Sequence, residues 1–238
     1  MRNVLIIARK EIYGYFTTPL AYIIAAVFLA VSGVFFISDL GSSEQARMTG
    51  FLFGAIALLT VIGPLLTMRL FAEEQKLGTL ELLLTAPVRE AELVLGKFLA
   101  ALTILISMLV MTFFYPMLLV LFAQPDLGPV VSGYVGLLLF GAAFLAVGLL
   151  ASSVTSNQIL AAVLGLGLLG LLWLVSALSG VAQSVAWAKD IVNYVALTNV
   201  YVDFLRGLLD TREIIFLISL TAVVLFATTR AVEARRWR

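Results

Sequence analysis

The sequence predicts an all-α, polytopic membrane protein, and three observations carry that prediction. Of its 238 residues, 62% are hydrophobic and only 12% charged, whereas soluble domains run roughly 45–50% apolar and about 25% charged. Mean hydropathy is +1.11, an excess too large for a buried core alone. The apolar residues also gather into charge-free runs at 12–38, 48–68, 98–125, 127–188 and 214–229, most of them at or beyond the about 20 residues that cross a bilayer as a helix.

The first element is not a secretory signal. "MRNVLIIARKEIYGYF" carries Arg9, Lys10 and Glu11 inside its apolar stretch and has no small-residue cleavage site after it. Val4, Leu5, Ile7, Ala8, Ile12 and Tyr15 recur at roughly helical spacing, which predicts an amphipathic helix lying in the membrane interface rather than a frayed start to the first span.

The runs then predict six spans, near 18–39, 50–70, 98–122, 132–151, 159–179 and 213–231. The run 127–188 is too long for one helix and divides at "ASSVTSNQ", residues 151–158, the dense polar cluster within it. The last run has 16 residues, and Glu213 and Arg230 extend it by snorkelling. "PDLGP" at 125–129 reads as a tight turn between the third and fourth spans. Residues 180–212 mix Trp187, Tyr194, Tyr201 and Phe204 with Lys189, Asp190, Asp203, Arg206 and Asp210, a pattern of short interfacial helices that serve as an external lid or simply anchor a loop.

Orientation follows from Lys and Arg, which are enriched in cytoplasmic loops. With both termini on one side, that side holds Arg2, Arg9, Lys10, Arg69, Lys76, Arg89, Lys97, Arg230, Arg235, Arg236 and Arg238; the other holds Arg47, Lys189, Arg206 and Arg212. Both termini, and the 73–93 connection, are expected to be cytoplasmic in a multi-pass protein of the cell membrane.

Composition excludes several functions. Cysteine and histidine are absent, so disulfides, thiol nucleophiles, imidazole bases and the usual zinc, copper or haem ligands are absent too. A net charge of +1 points to no nucleic-acid partner. "GLGLLG" at 165–170 fits a dinucleotide-binding pattern, but that motif needs a strand before it and a helix starting at its end. In mid-span its glycines, with Ala161, would let helices approach closely. "LGKF" at 95–98 lacks the glycine and hydroxyl that a phosphate loop requires. The spans carry no ionisable residue away from their ends, which disfavours an ion-coupled carrier. No catalytic residue, metal site or cofactor is expected.

"EEQKLGTLELLLTAPVREAEL", residues 73–93, packs seven ionisable groups into 21 residues between two apolar runs. Read as one helix, Leu77, Leu80, Leu84 and Val88 share a stripe, Leu82 and Leu83 lie off it, and Gly78 and Pro87 bound or kink it. A surface greasy on more than one side fits being sandwiched between the membrane domain and a second protein, with Leu83 facing that partner and Glu81 partly desolvated at the stripe's edge. The alternative is a solvated connector.

These residues resemble the type-2 ABC transporter permeases. Glu74, Gly78, Thr79, Glu81, Leu83, Leu84, Pro87, Gly96 and Lys97 match that family's segment between spans 2 and 3, and "ARKEIYGYFTTPLAYI", with Lys10, Glu11 and Pro19, is similar to its interfacial elbow helix. "FLRGLLDTREIIFLISLTAVVLFATTRAVEARRW" resembles the branch associated with gliding motility and nitrous-oxide-reductase maturation. The resemblance covers nearly the whole chain as one membrane domain, 1–238. It implies a paired permease, with export as the expected direction, energised by a separate ATP-binding subunit that holds the ATP. It implies docking of that subunit on a coupling helix through Glu73, Glu74, Gly78, Thr79, Glu81, Leu83, Leu84, Pro87 and Arg89, with Arg9, Lys10 and Glu11 in the elbow. The partners expected are that ATPase, a second identical or different permease subunit, and the bilayer. Alternatives are a membrane anchor that transmits force in an ABC-like complex, and an ATP-independent carrier.

Overall fold

A computed structural model describes residues 2–42, 48–85, 88–122, 126–182 and 197–236. Among the described residues the chain is helical, in the order α1 (Arg2–Thr17), α2 (Pro19–Ser42), α3 (Thr49–Lys76), α4 (Thr79–Thr85), α5 (Glu90–Thr112), α6 (Phe114–Phe122), α7 (Leu127–Val154), α8 (Gln158–Ala182), α9 (Leu197–Leu205) and α10 (Thr211–Arg236). Among the described residues five stretches are long and apolar enough to cross a membrane: Pro19–Leu40, Thr49–Lys76, Glu90–Phe122, Leu127–Val154 and Thr211–Arg235; the Gln158–Leu174 part of α8 is apolar as well. Pro87 and residues 183–196, including Trp187, Lys189, Asp190 and Tyr194, lie outside the described residues.

Local chemistry explains most boundaries. Asp126 caps α7 by accepting from Gly128 N–H at 3.0 Å, and Pro129 sits in the first turn, where a missing N–H costs nothing. Helix therefore begins inside the stretch 125–129 expected to be a turn. Asn157 Oδ1 accepts from Ile159 N–H at 2.9 Å and starts α8, so the break expected in 151–158 falls at Thr155–Asn157. Between α5 and α6, Pro116 cannot continue the ladder of the preceding turn, and the chain bends at Phe113.

Two long helices, α3 and α7, form the centre: 61% and 72% of their most apolar windows are buried, against 17% for α10. They close on α8 around Pro64. A Cβ on Gly148 would lie 2.8 Å from Pro64 Cα, and one on Gly165 would lie 2.9 Å from Pro64 Cβ. Only glycine admits such approach, which is how helices pack where lipid offers no hydrophobic drive. Ala161 is buried as well. By contrast, a Cβ added to Gly167 or Gly170 would meet nothing within 4 Å, so close approach belongs to one end of the glycine motif only.

The bundle has two chemically different ends. At one, α2, α3, α6, α7 and α9 meet through rings: Phe36 stacks on Tyr115 at 4.9 Å and Phe113 on Tyr134 at 4.7 Å, while Phe140 meets Tyr201 edge-on at 5.4 Å. The α9 aromatics differ from expectation. Tyr201 and Phe204 are fully buried rather than interfacial, because Tyr201 Oη donates to Leu52 O at 2.8 Å and Phe204 O accepts from Ser132 Oγ at 2.6 Å. Burial pushes the Tyr201 phenol well above its ordinary range. The other end gathers α1, α4, the last turns of α3, α7 and α10, and the start of α5.

Candidate functional site at the charged end

Lys97 stands in the second turn of α5, where the sequence suggested only the edge of a span, and its side chain is wholly buried. Its ammonium lies 2.8 Å from Glu74 Oε1 on α3, 2.9 Å from Glu11 Oε1 on α1 and 2.6 Å from Leu70 O. The Phe71 ring centroid is 5.2 Å away. One cation thus ties three helices. Its three donors are all engaged, so it is a pin rather than a nucleophile. Lys10, largely exposed, closes the cluster from outside at 3.4 Å from Glu74 and 3.6 Å from Glu11.

The neighbouring residues make this arrangement possible. Gly96 lies beneath α1: a Cβ there would be 2.7 Å from Ile7 Cγ2 and 3.1 Å from Val4 O. Asn3 Nδ2 donates to Glu92 Oε2 at 3.0 Å, and Arg89 N–H donates to the same oxygen at 3.2 Å, joining α1 to the first turn of α5. Tyr15 Oη donates to Leu66 O at 2.6 Å; burial, and then the nearby Glu11 carboxylate, push its phenol far above the ordinary value. Arg69 pairs with Glu73 one turn away at 3.1 Å. Among the described residues no group of acidic side chains could hold a metal ion.

The connection between α3 and α5 differs from a single helix over 73–88. α3 runs on to Lys76, Leu77 and Gly78 form a turn, and Gly78 takes φ 68°, a left-handed conformation that glycine adopts without cost. α4 then hangs from α3 as a separate helix of seven residues. Its Leu80 is buried and its Glu81 exposed.

Several expected docking residues are accordingly elsewhere. Glu73 and Glu74 belong to α3, and Glu74 turns inward to Lys97, 13% exposed. Leu83 is half-buried, packed in part against the core and in part lining the cleft beside α4. Glu81 is exposed in the chain by itself, as a residue at a partner-facing edge would be. Gly78, Thr79, Glu81 and Arg89 are exposed, together with Leu77; for Leu84 only the backbone is described. Of the elbow residues, Glu11 is in the cluster, Lys10 covers it and Arg9 points to solvent. A cleft of about 440 Å³ opens between α1, α3 and α4, lined in part by Lys10, Tyr15, Arg69, Glu73, Leu77 and Leu83. Sequence reasoning missed Lys97 as the centre; a lone lysine directly after a glycine, in an otherwise apolar helix, was the available signal.

With described residues that are helical, five stretches among them long and apolar enough to cross a membrane, and an ion cluster gathered at one end, the chain has the build of a multi-pass membrane protein. Residues 5–230 match the ABC-2 family transporter protein family, and the chain belongs to that family. It is a permease subunit of an ABC transporter. No curated protein matches it.

Proposed function

We propose that this chain is the membrane half of an exporter of the cell membrane, paired with a second permease subunit and driven by a separate cytoplasmic ATPase that docks at the charged end. The observation that carries the reading is α4: a short helix, hung on a glycine turn from the end of a central helix, anchored inward by Leu80 and presenting Glu81 and Thr79 outward beside the exposed Leu77 of the turn. Such an element moves as a unit with whatever grips it. The cleft beside it offers a partner both apolar surface and charge for register. The chain itself has no phosphate loop, so ATP hydrolysis belongs to the partner.

Six crossings with both termini cytoplasmic are part of the same reading. α7 ends at the charged end, whereas α9 sits at the aromatic end. α8 meets α3 first at Pro64 through Gly165 and then at Thr60, whose Oγ1 accepts from Trp173 Nε1 at 3.0 Å. Its direction from charged end to aromatic end supports a crossing by α8. The chain has no native cysteine, so cysteines can be introduced singly. Thr211→Cys should react with an impermeant thiol reagent added outside intact cells and Thr79→Cys should not; the reverse pattern would invert the topology.

Docking is tested by capture of the ATPase on the purified permease. Glu81→Lys and Leu77→Ser should each weaken retention roughly ten-fold, while Glu44→Lys, in the connection between α2 and α3, should not. Equal retention by all three rules out α4 as the docking element, and hydrolysis by the permease alone would overturn the division of labour. The C-terminal resemblance at 204–237 favours the gliding-motility and nitrous-oxide-reductase-maturation branch, where force transmission is the second reading. ATP-dependent accumulation of solute in vesicles separates export from force transmission.

A further inference from the structure

The last turns of α3 and α7 hold each other by a reciprocal exchange. Ser152, fully buried on α7, accepts at Oγ from the N–H groups of Phe71 and Ala72, both at 3.1 Å, and donates to Met68 O at 2.9 Å. In an unbroken α-helix Ala72 N–H would donate to Met68 O directly. One hydroxyl from another helix therefore engages both ends of that link, the kind of insertion that loosens a helix's own ladder. Nearby, Lys97 takes Leu70 O. In return, Gln75 Nε2 on α3 donates to Ser153 O at 2.9 Å and Ser152 O at 3.4 Å, and Arg235 on α10 donates to Val154 O. These are carbonyls of the final turn of α7, which lack partners within their own helix. Ser153 is equally buried, yet its hydroxyl bonds only within α7, to Leu150 O at 2.7 Å.

We propose that Ser152 and Gln75 are positioning residues that make the end of α3 dependent on α7, so that displacement of α4 is passed into α7 instead of being lost in a flexible helix end. α4 begins four residues after Gln75, across one glycine turn, and α7 is the most deeply buried of the five stretches long and apolar enough to cross a membrane. A hydroxyl with both acceptor positions and its donor in use cannot slide without releasing three backbone groups at once. The clasp therefore moves as one body with both helices. The transmission role rests on the reading that an ATPase docks at α4; the clasp itself does not.

The test has two arms, both on the full chain in lipid nanodiscs. Without the ATPase, amide hydrogen exchange over residues 70–77 should be about ten-fold faster in Ser152→Ala than in wild type, unchanged in Ser153→Ala, and restored in Ser152→Thr, which keeps the hydroxyl. Gln75→Ala should speed exchange at the end of α7. Ser152→Ala exchanging no faster than Ser153→Ala overturns the clasp. With the ATPase, Ser152→Ala should retain it as wild type does but lose the change in hydrolysis rate that the permease imposes; stimulation kept in full overturns transmission. If no variant, wild type included, captures the ATPase, the docking reading fails and transmission with it, while the exchange arm still decides the clasp.

Discussion

The two ends of this bundle differ in whether they use buried charge. At the aromatic end, Phe36, Phe51, Tyr115, Phe113, Tyr134, Phe140 and Tyr201 interlock in ring pairs 4.7 to 6.4 Å apart, with neutral hydrogen bonds such as Tyr201 Oη to Leu52 O and Tyr134 Oη to Thr112 O at the ring edges. At the charged end, few atoms do the joining: Lys97 Nζ, one oxygen each of Glu11 and Glu74, the Ser152 hydroxyl and the Gln75 amide. Ring packing is spread over many weak contacts, each replaceable by a neighbour of similar volume. A buried ion cluster is all or nothing, since removing one partner strands the others in a low dielectric. The end that depends on buried charge is the one that carries α4.

The largest expected effect breaks the charged end at its centre. Lys97→Met leaves Glu11 and Glu74 facing one another with only the exposed Lys10 as counterion and should cost about 3 kcal/mol, read as a fall in thermal stability of the detergent-purified protein. Adding Glu11→Gln and Glu74→Gln to the same chain should recover most of that loss; failure to recover would mean that Lys97 acts through its aliphatic stem and not its charge. A smaller loss follows from Gly96→Ala, which drives a methyl into Ile7 and Val4 and should cost about 1–3 kcal/mol while loosening α1 from α5, measured by increased proteolysis between the two. At the aromatic end Phe51→Leu, which leaves a small cavity at a fully buried site, should cost about 1–2 kcal/mol, less than the loss of Lys97. A Phe51→Leu loss as large as that of Lys97→Met would erase the contrast between the ends.

Amphipathic spacing in 4–15, charge-free runs and the polar cluster at 151–158 were enough to locate α1, the apolar stretches and the break between α7 and α8, because those features depend on neighbours along the chain. The connection after α3 was harder. Gly78 was legible as a limit or kink of the leucine stripe from 77 to 88, but not how the left-handed turn there sets α4 against α3, with Leu80 buried, Leu83 half-buried and Glu81 exposed. The clasp was wholly illegible: Ser152 looked like part of a polar hinge, and its partners Phe71 and Ala72 lie about 80 residues away in sequence.

What the amino-acid sequence determined by itself is the membrane character of the chain and the division of its charges between two ends, since transfer of apolar and charged groups between water and lipid depends on composition over a window of about 20 residues. What only the tertiary structure decided is which of those charges are working parts. Glu74 and Glu73 are adjacent acids on the same turn, indistinguishable by composition; Glu74 lies 2.8 Å from a buried lysine and Glu73 pairs with Arg69 nearer the surface. Side chains one residue apart on a helix point about 100° away from each other, so the crossing of α1, α3 and α5 turns one carboxylate to the buried lysine and leaves its neighbour nearer the surface.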